Sequence, residues 1–154
     1  MSTTTAPARA AQETTRVAAL KVEPYLFFGG RCEEAVQFYR GALDAELLAL
    51  MRFKDAPESG GCGPGGNGDR VMHASFRVGE TMIMASDGCD DTKPKFEGFA
   101  LSITAPNETE AKRRFAALAE GGQIIQPLSQ TFFAKCFGMV TDRFGVMWMV
   151  IAMP

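Results

Sequence analysis

The chain has 154 residues, enough for one domain or two small halves that share a core. Its 46% apolar content, 22% charged content and net charge of −2 fit a globular protein, with no basic block to grip nucleic acid or an anionic membrane surface. No apolar run approaches the roughly 18 residues of a membrane span. Cys32, Cys62, Cys89 and Cys136 form no Cys-x-x-Cys pair and have long, uneven spacings, so they read as free thiols in a reducing, cytoplasmic compartment.

Residues 1–20 are rich in Ala and Thr, have no hydrophobic period, and read as a disordered tail ahead of a single domain at 21–154. Residues 22–28 form a strand with Pro24, which has no N–H, at its start or on an edge. Gly29 and Gly30 end it. Residues 32–43 carry Ala35, Val36, Phe38, Tyr39, Ala42 and Leu43 at helical spacing, with Glu33 and Glu34 at the positive end. A strand follows at 46–53. The run 55–69 holds six glycines, but it leads into a strand at 71–78 and not into Lys-Ser/Thr and a helix, so it reads as a loop and not a phosphate cradle. A turn at 78–81 returns the chain as a strand at 82–86, and a polar linker covers 87–97.

The pattern then restarts. A strand at 99–104 precedes a helix at 107–120, with Asn107 as N-cap, Glu110 completing a capping box, and Ala111, Phe115 and Leu118 as its stripe. Gly121 and Gly122 stop that helix. A short strand at 123–127 leads to the closing hairpin, strands 137–141 and 146–152 around the turn Asp142-Arg143-Phe144-Gly145. Both hairpin strands are too apolar to leave a face in water, which puts them in the middle of a sheet. The order is strand, helix, strand, strand, strand, twice over, in modules at about 22–86 and 99–152.

These pieces resemble the vicinal oxygen chelate superfamily of glyoxalase I, extradiol dioxygenases and bleomycin and fosfomycin resistance proteins, and more closely its PhnB-like branch. The resemblance rests on Pro24-Tyr-Leu-Phe-Phe with Cys32-Glu-Glu-Ala-Val-Gln-Phe-Tyr39, on Val71-Met-His-Ala74 with Met84-Ala-Ser-Asp87, and on Phe137-Gly with Asp142-Arg-Phe-Gly-Val-Met-Trp148. It implies an α+β fold of two βαβββ modules whose curved, glyoxalase-like sheets enclose a cavity, in a homodimer. It also implies a divalent metal held by His, Glu or Gln. The positions that match those ligands are Pro24, Met84, Gly98 or Phe99, and Met149. None of them suits a hard cation, so neither metal nor cofactor is expected. The branch also carries a demethylubiquinone methyltransferase label, but no nucleotide-binding strand, glycine loop and helix supports it here.

His73 is the only histidine. It shares the polar face of its strand with Ser75 and Arg77, opposite Met72, Ala74, Phe76 and Val78. If the apolar face meets the helix, His73 points into the cavity, with Ser86 and Asp87 at the end of the neighbouring strand. His73 and Asp87 are the candidate acid–base pair. Tyr25, Phe27, Phe133 and Trp148 are candidate pocket aromatics, with Met147, Met149 and Ile151 turned to the helix and Trp148 to the cavity. Cys32, at a helix N-terminus beside Arg31, is in a place that favours a thiolate but has no histidine in sequence reach. The expected protein is a metal-free, dimeric small-molecule binder or enzyme. Its alternatives are a metal-dependent lyase or dioxygenase with displaced ligands such as His73, Asp87 or Glu97, and a resistance-type protein that sequesters its ligand.

Overall fold

The computed structural model describes residues 19–56, 68–90 and 92–154. Most of the N-terminal tail, Cys62 and nearly all of the glycine-rich run lie outside them. The elements run β1 (Tyr25–Phe27), α1 (Cys32–Leu43), β2 (Glu46–Arg52), β3 (Val71–Val78), β4 (Thr81–Ser86), β5 (Leu101–Ala105), α2 (Glu108–Ala119), β6 (Gln123–Ser129), β7 (Cys136–Thr141) and β8 (Met147–Ala152). They build two four-stranded sheets, β1-β4-β3-β2 and β5-β8-β7-β6. In each, the first strand runs parallel to the fourth and the other pairs are antiparallel. The fold is therefore two βαβββ modules, α+β in class. The sheets stay open and are not closed into a barrel.

β1 is shorter than its apolar run because Pro24 only accepts: its carbonyl takes the Met84 N–H at 2.9 Å, and the ladder starts after it. In α1, Ala35, Val36, Tyr39, Ala42 and Leu43 are buried. In α2, the Asn107 side chain accepts from the Glu110 N–H at 2.8 Å, as an N-cap does. The Glu110 carboxylate does not close the box; it turns to Arg114 at 3.3 Å.

The closing hairpin is central, with β8 between β5 and β7 and β7 between β8 and β6. Its turn is closed by the Gly145 N–H on the Asp142 carbonyl at 2.9 Å, and Gly145 has φ +90°. Both strands nevertheless alternate between buried and half-buried residues, so one face stays partly open. The inward face holds Val140, Val146, Trp148, Val150 and Ala152, while Met147, Met149 and Ile151 are half-exposed. This reverses the expected assignment. Close helix packing leaves no room for long, flexible methionines: a Cβ on Gly138 of β7 would lie 2.8 Å from the Phe115 ring of α2.

The modules meet through their helical sides. Asp44, left-handed at the end of α1 with φ +53°, accepts from Arg114 at 2.6 Å and Arg113 at 3.1 Å. Phe144 packs among Phe28, Phe38 and Tyr39. The Arg31 and Arg143 guanidiniums sit over the Phe144 and Phe38 rings at 4.5 and 4.4 Å. Cys32 and Cys136 are buried free thiols. Cys89 is disulfide-bonded, against the expectation of free thiols throughout. Among the described residues no helix is long and apolar enough to cross a membrane.

Candidate functional site

β3 sorts its side chains as its alternation requires. Ala74 and Phe76 are fully buried on the α1 side, and His73, Ser75 and Arg77 lie on the other face. Cross-strand register fills that face: Ser75 lies opposite Ala49 and Met84, Met84 beside Tyr25, and His73 opposite Met51. Arg77 is ion-paired to Glu46 across β2 and β3. The open face of the first sheet is thus a soft apolar platform with a few polar groups set into it.

Tyr25 and His73 form its polar centre. The Tyr25 hydroxyl lies 2.8 Å from His73 Nδ1, across the intervening β4. Their rings are 5.6 Å apart, and Phe27 continues the row 5.1 Å from Tyr25. Tyr25 and Phe27 are 39% and 53% exposed, so this row faces outward. Burial raises the Tyr25 phenol above its ordinary value, Cys32 adds to the rise and the Ser86 hydroxyl opposes it. A protonated phenol donates to Nδ1, which puts the imidazole proton on Nε2 and leaves that nitrogen for a ligand.

Asp87 does not join His73. Its Oδ1 accepts from the Gly30 and Cys32 N–H groups and its Oδ2 from the Val71 N–H, each at 2.8 Å, and it is 4% exposed. These three bonds tie the start of α1 to β3 and engage both carboxylate oxygens. The expected His73–Asp87 pair therefore gives way to a Tyr25–His73 pair. The same bonds hold the Gly29-Gly30 junction between β1 and α1. Ser86 is buried as well, donating to the Val71 carbonyl at 3.3 Å and accepting from the Gly88 N–H at 3.0 Å.

Phe133 is in the other module, between β6 and β7, with its ring 5.2 Å from Phe132 and 5.4 Å from Phe137. Trp148 is 2% exposed; its indole N–H donates to Asp142 Oδ2 at 2.9 Å and its ring meets Tyr39 at 5.5 Å. It is a core residue and is among those that line a cavity between the modules. Cys32 is no thiolate: burial first, then the Asp87 and Glu33 charges, push its thiol up to about 12. Sequence reading passed over Asp142, which is buried and accepts from Tyr39, Trp148 and two backbone amides. An acidic residue inside so apolar a hairpin was the available signal.

A hard divalent cation does not fit the positions that match the superfamily's ligands. The Pro24 carbonyl is spent on Met84, Met84 and Met149 offer only thioethers, and Phe99 offers no donor in its side chain. Among the described residues, no three or more His, Cys, Asp or Glu are grouped as a metal site.

Comparison with known proteins agrees with this architecture. The model of the 3-demethylubiquinone-9 3-methyltransferase family matches residues 20–151. Protein YjdN of Escherichia coli (strain K12) is 36% identical over 138 residues, covering 85% of this chain and 94% of that protein. The structure of PA1353 from Pseudomonas aeruginosa is 41% identical and superposes with a TM-score of 0.78 over 88% of this chain and 98% of its own. The PhnB protein from Bacillus cereus is 28% identical, with a TM-score of 0.72 over 86% and 99%. The fold alone is shared with a glyoxylase/bleomycin resistance protein/dioxygenase domain from Frankia sp. EAN1pec, 14% identical, with a TM-score of 0.63 over 88% and 98%.

Proposed function

This chain belongs to the 3-demethylubiquinone-9 3-methyltransferase family, in its PhnB-like, glyoxalase-fold form, and we propose that it works there as a metal-independent small-molecule-binding protein. Its site is the open face of the first sheet. The observation that carries this reading is the Tyr25–His73 contact at 2.8 Å on a half-exposed face otherwise lined by Phe27, Met84 and Met51. Such a face suits an apolar, ring-bearing ligand with one group that hydrogen-bonds to the imidazole. Tyr25 fixes the imidazole's orientation, and the His73 Nε2–H donates a hydrogen bond to that group.

The same reading includes a homodimer, because the open sheets leave large apolar side chains uncovered. Phe132 is fully exposed and Ile124 and Ile125 of the β6 edge are each 50% exposed.

The test is a thermal-shift screen of ring-bearing small molecules on the full chain, with and without a chelator. The expected ligand raises the melting temperature equally in both conditions, and His73→Ala removes the shift. A shift abolished by the chelator, or one untouched by both His73→Ala and Tyr25→Phe, overturns the reading.

A further inference from the structure

We propose that the cavity between the two modules is a second binding site, for an extended apolar amine that bears amide groups and has about the size of a tripeptide. The cavity has a volume of about 530 Å³, within the range that holds small ligands. Tyr25 and His73 do not line it, so it is separate from the open face.

One wall is made by residues 100–104. β5 is an edge strand, bonded only to β8. Alternate residues of an edge strand turn their N–H and C=O groups away from the sheet, here along the cavity. The facing wall forms no strand pair with β5. It includes Pro24, which has no N–H and whose carbonyl already accepts from Met84. An occupant with amides in extended conformation would satisfy the β5 edge by adding a strand. A stretch of three residues spans about 10 Å, which β5 accommodates.

The remaining lining sets the chemistry of the side groups. Ile83, Leu101 and Trp148 are apolar, and the Trp148 indole N–H is already given to Asp142, so only its ring is on offer. Glu80, in the β3–β4 turn, is the single charged residue of the lining. It is exposed and takes part in no hydrogen bond or ion pair among the described residues. An ammonium at one end of the occupant complements it.

The test titrates the full chain with the tripeptide amide Leu-Val-Leu-NH2 and follows the emission of Trp148, the only tryptophan. Saturable change in emission is expected. Acetylation of the amine should weaken binding about twofold to fivefold, the worth of an exposed ion pair. Glu80→Gln should weaken the free-amine peptide by the same factor and leave the acetylated one unchanged. A peptide N-methylated at alternate amides should not bind. The proposal is overturned by an unchanged emission up to millimolar peptide, by full binding of the N-methylated peptide, or by indifference to both acetylation and Glu80→Gln. It is also overturned if sedimentation shows a dimer whose dissociation is needed before the peptide binds, since a second copy is then the occupant.

Discussion

The Tyr39 hydroxyl donates to Asp142 Oδ2 at 2.6 Å, joining α1 of the first module to the closing hairpin of the second. Both residues are buried, and the same carboxylate accepts from the Trp148 indole at 2.9 Å and from the Phe144 and Val146 amides at 2.9 and 3.1 Å. Burial and the Asp142 charge hold the Tyr39 phenol well above its ordinary value, so it remains a donor. A buried carboxylate is tolerable only when its lone pairs are filled, and here four donors fill them.

Tyr39→Phe removes one of those donors and leaves the carboxylate buried. We expect a loss of about 1.5–3 kcal/mol, the usual worth of a hydrogen bond to a charged group. Trp148→Phe removes a second donor along with ring volume. Because both act on Asp142, their effects should not add, and a double-mutant cycle by urea unfolding should give a coupling of about 0.5 kcal/mol or more. Strict additivity would mean that the two bonds act independently.

Two glycines should respond to alanine with opposite signs. Gly138→Ala drives a methyl into the Phe115 ring and the Gln126 carbonyl, at 2.8 and 3.1 Å, and should cost about 1–3 kcal/mol as overpacking does. Gly41 lies in α1 with nothing within 4 Å of an added Cβ and no positive φ. Gly41→Ala should gain about 0.5–1 kcal/mol from helix propensity and a less flexible unfolded chain. Denaturant midpoints of the two variants decide both.

The two tyrosines of the chain, Tyr25 and Tyr39, are both raised by burial above the ordinary phenol value. The folded state then keeps protons that the unfolded chain releases near pH ~10. The stability this contributes is full below that pH and is lost as pH rises through the higher folded values. Phenolate absorbance should therefore lag behind free tyrosine in an alkaline titration, and the Tyr39 half should appear together with unfolding. Absorbance that follows free tyrosine with the fold intact would contradict the burial of Tyr39.

Cys32 is fully buried, with its thiol pushed up to about 12. Native protein at pH 8 should resist iodoacetamide at this residue for as long as the fold holds, and denatured protein should be labelled readily. Peptide mapping separates Cys32 from the other thiols. Rapid native labelling would mean that the start of α1 opens.

The fold was legible because period-two and helical patterns repeat in the same order in both halves, and helix α1 was read with its full bounds. Which face of β8 is inside was not legible, since alternation gives two faces and no sign. The sign comes from the third dimension: Gly138 lets α2 close on β7, and Asp142 draws the Trp148 indole inward. His73, Ser75 and Arg77 could be grouped from one strand. The Tyr25–His73 pair could not, because β4 lies between their strands and joins them only in the folded sheet. Asp87 lies at the end of the strand next to that of His73, which suggested a partner, yet its oxygens accept from the Gly30, Cys32 and Val71 amides.

The most direct measurement of the site itself is amide and side-chain NMR of the full chain during titration with a panel of ring-bearing fragments, carried out in chelator. Fragments that bind are expected to shift the His73 imidazole and the amides around Tyr25, Phe27 and Ser75, with the His73 response altered in Tyr25→Phe. Binding fragments that leave these resonances still and shift only residues elsewhere would contradict the assignment of the open face as the functional site.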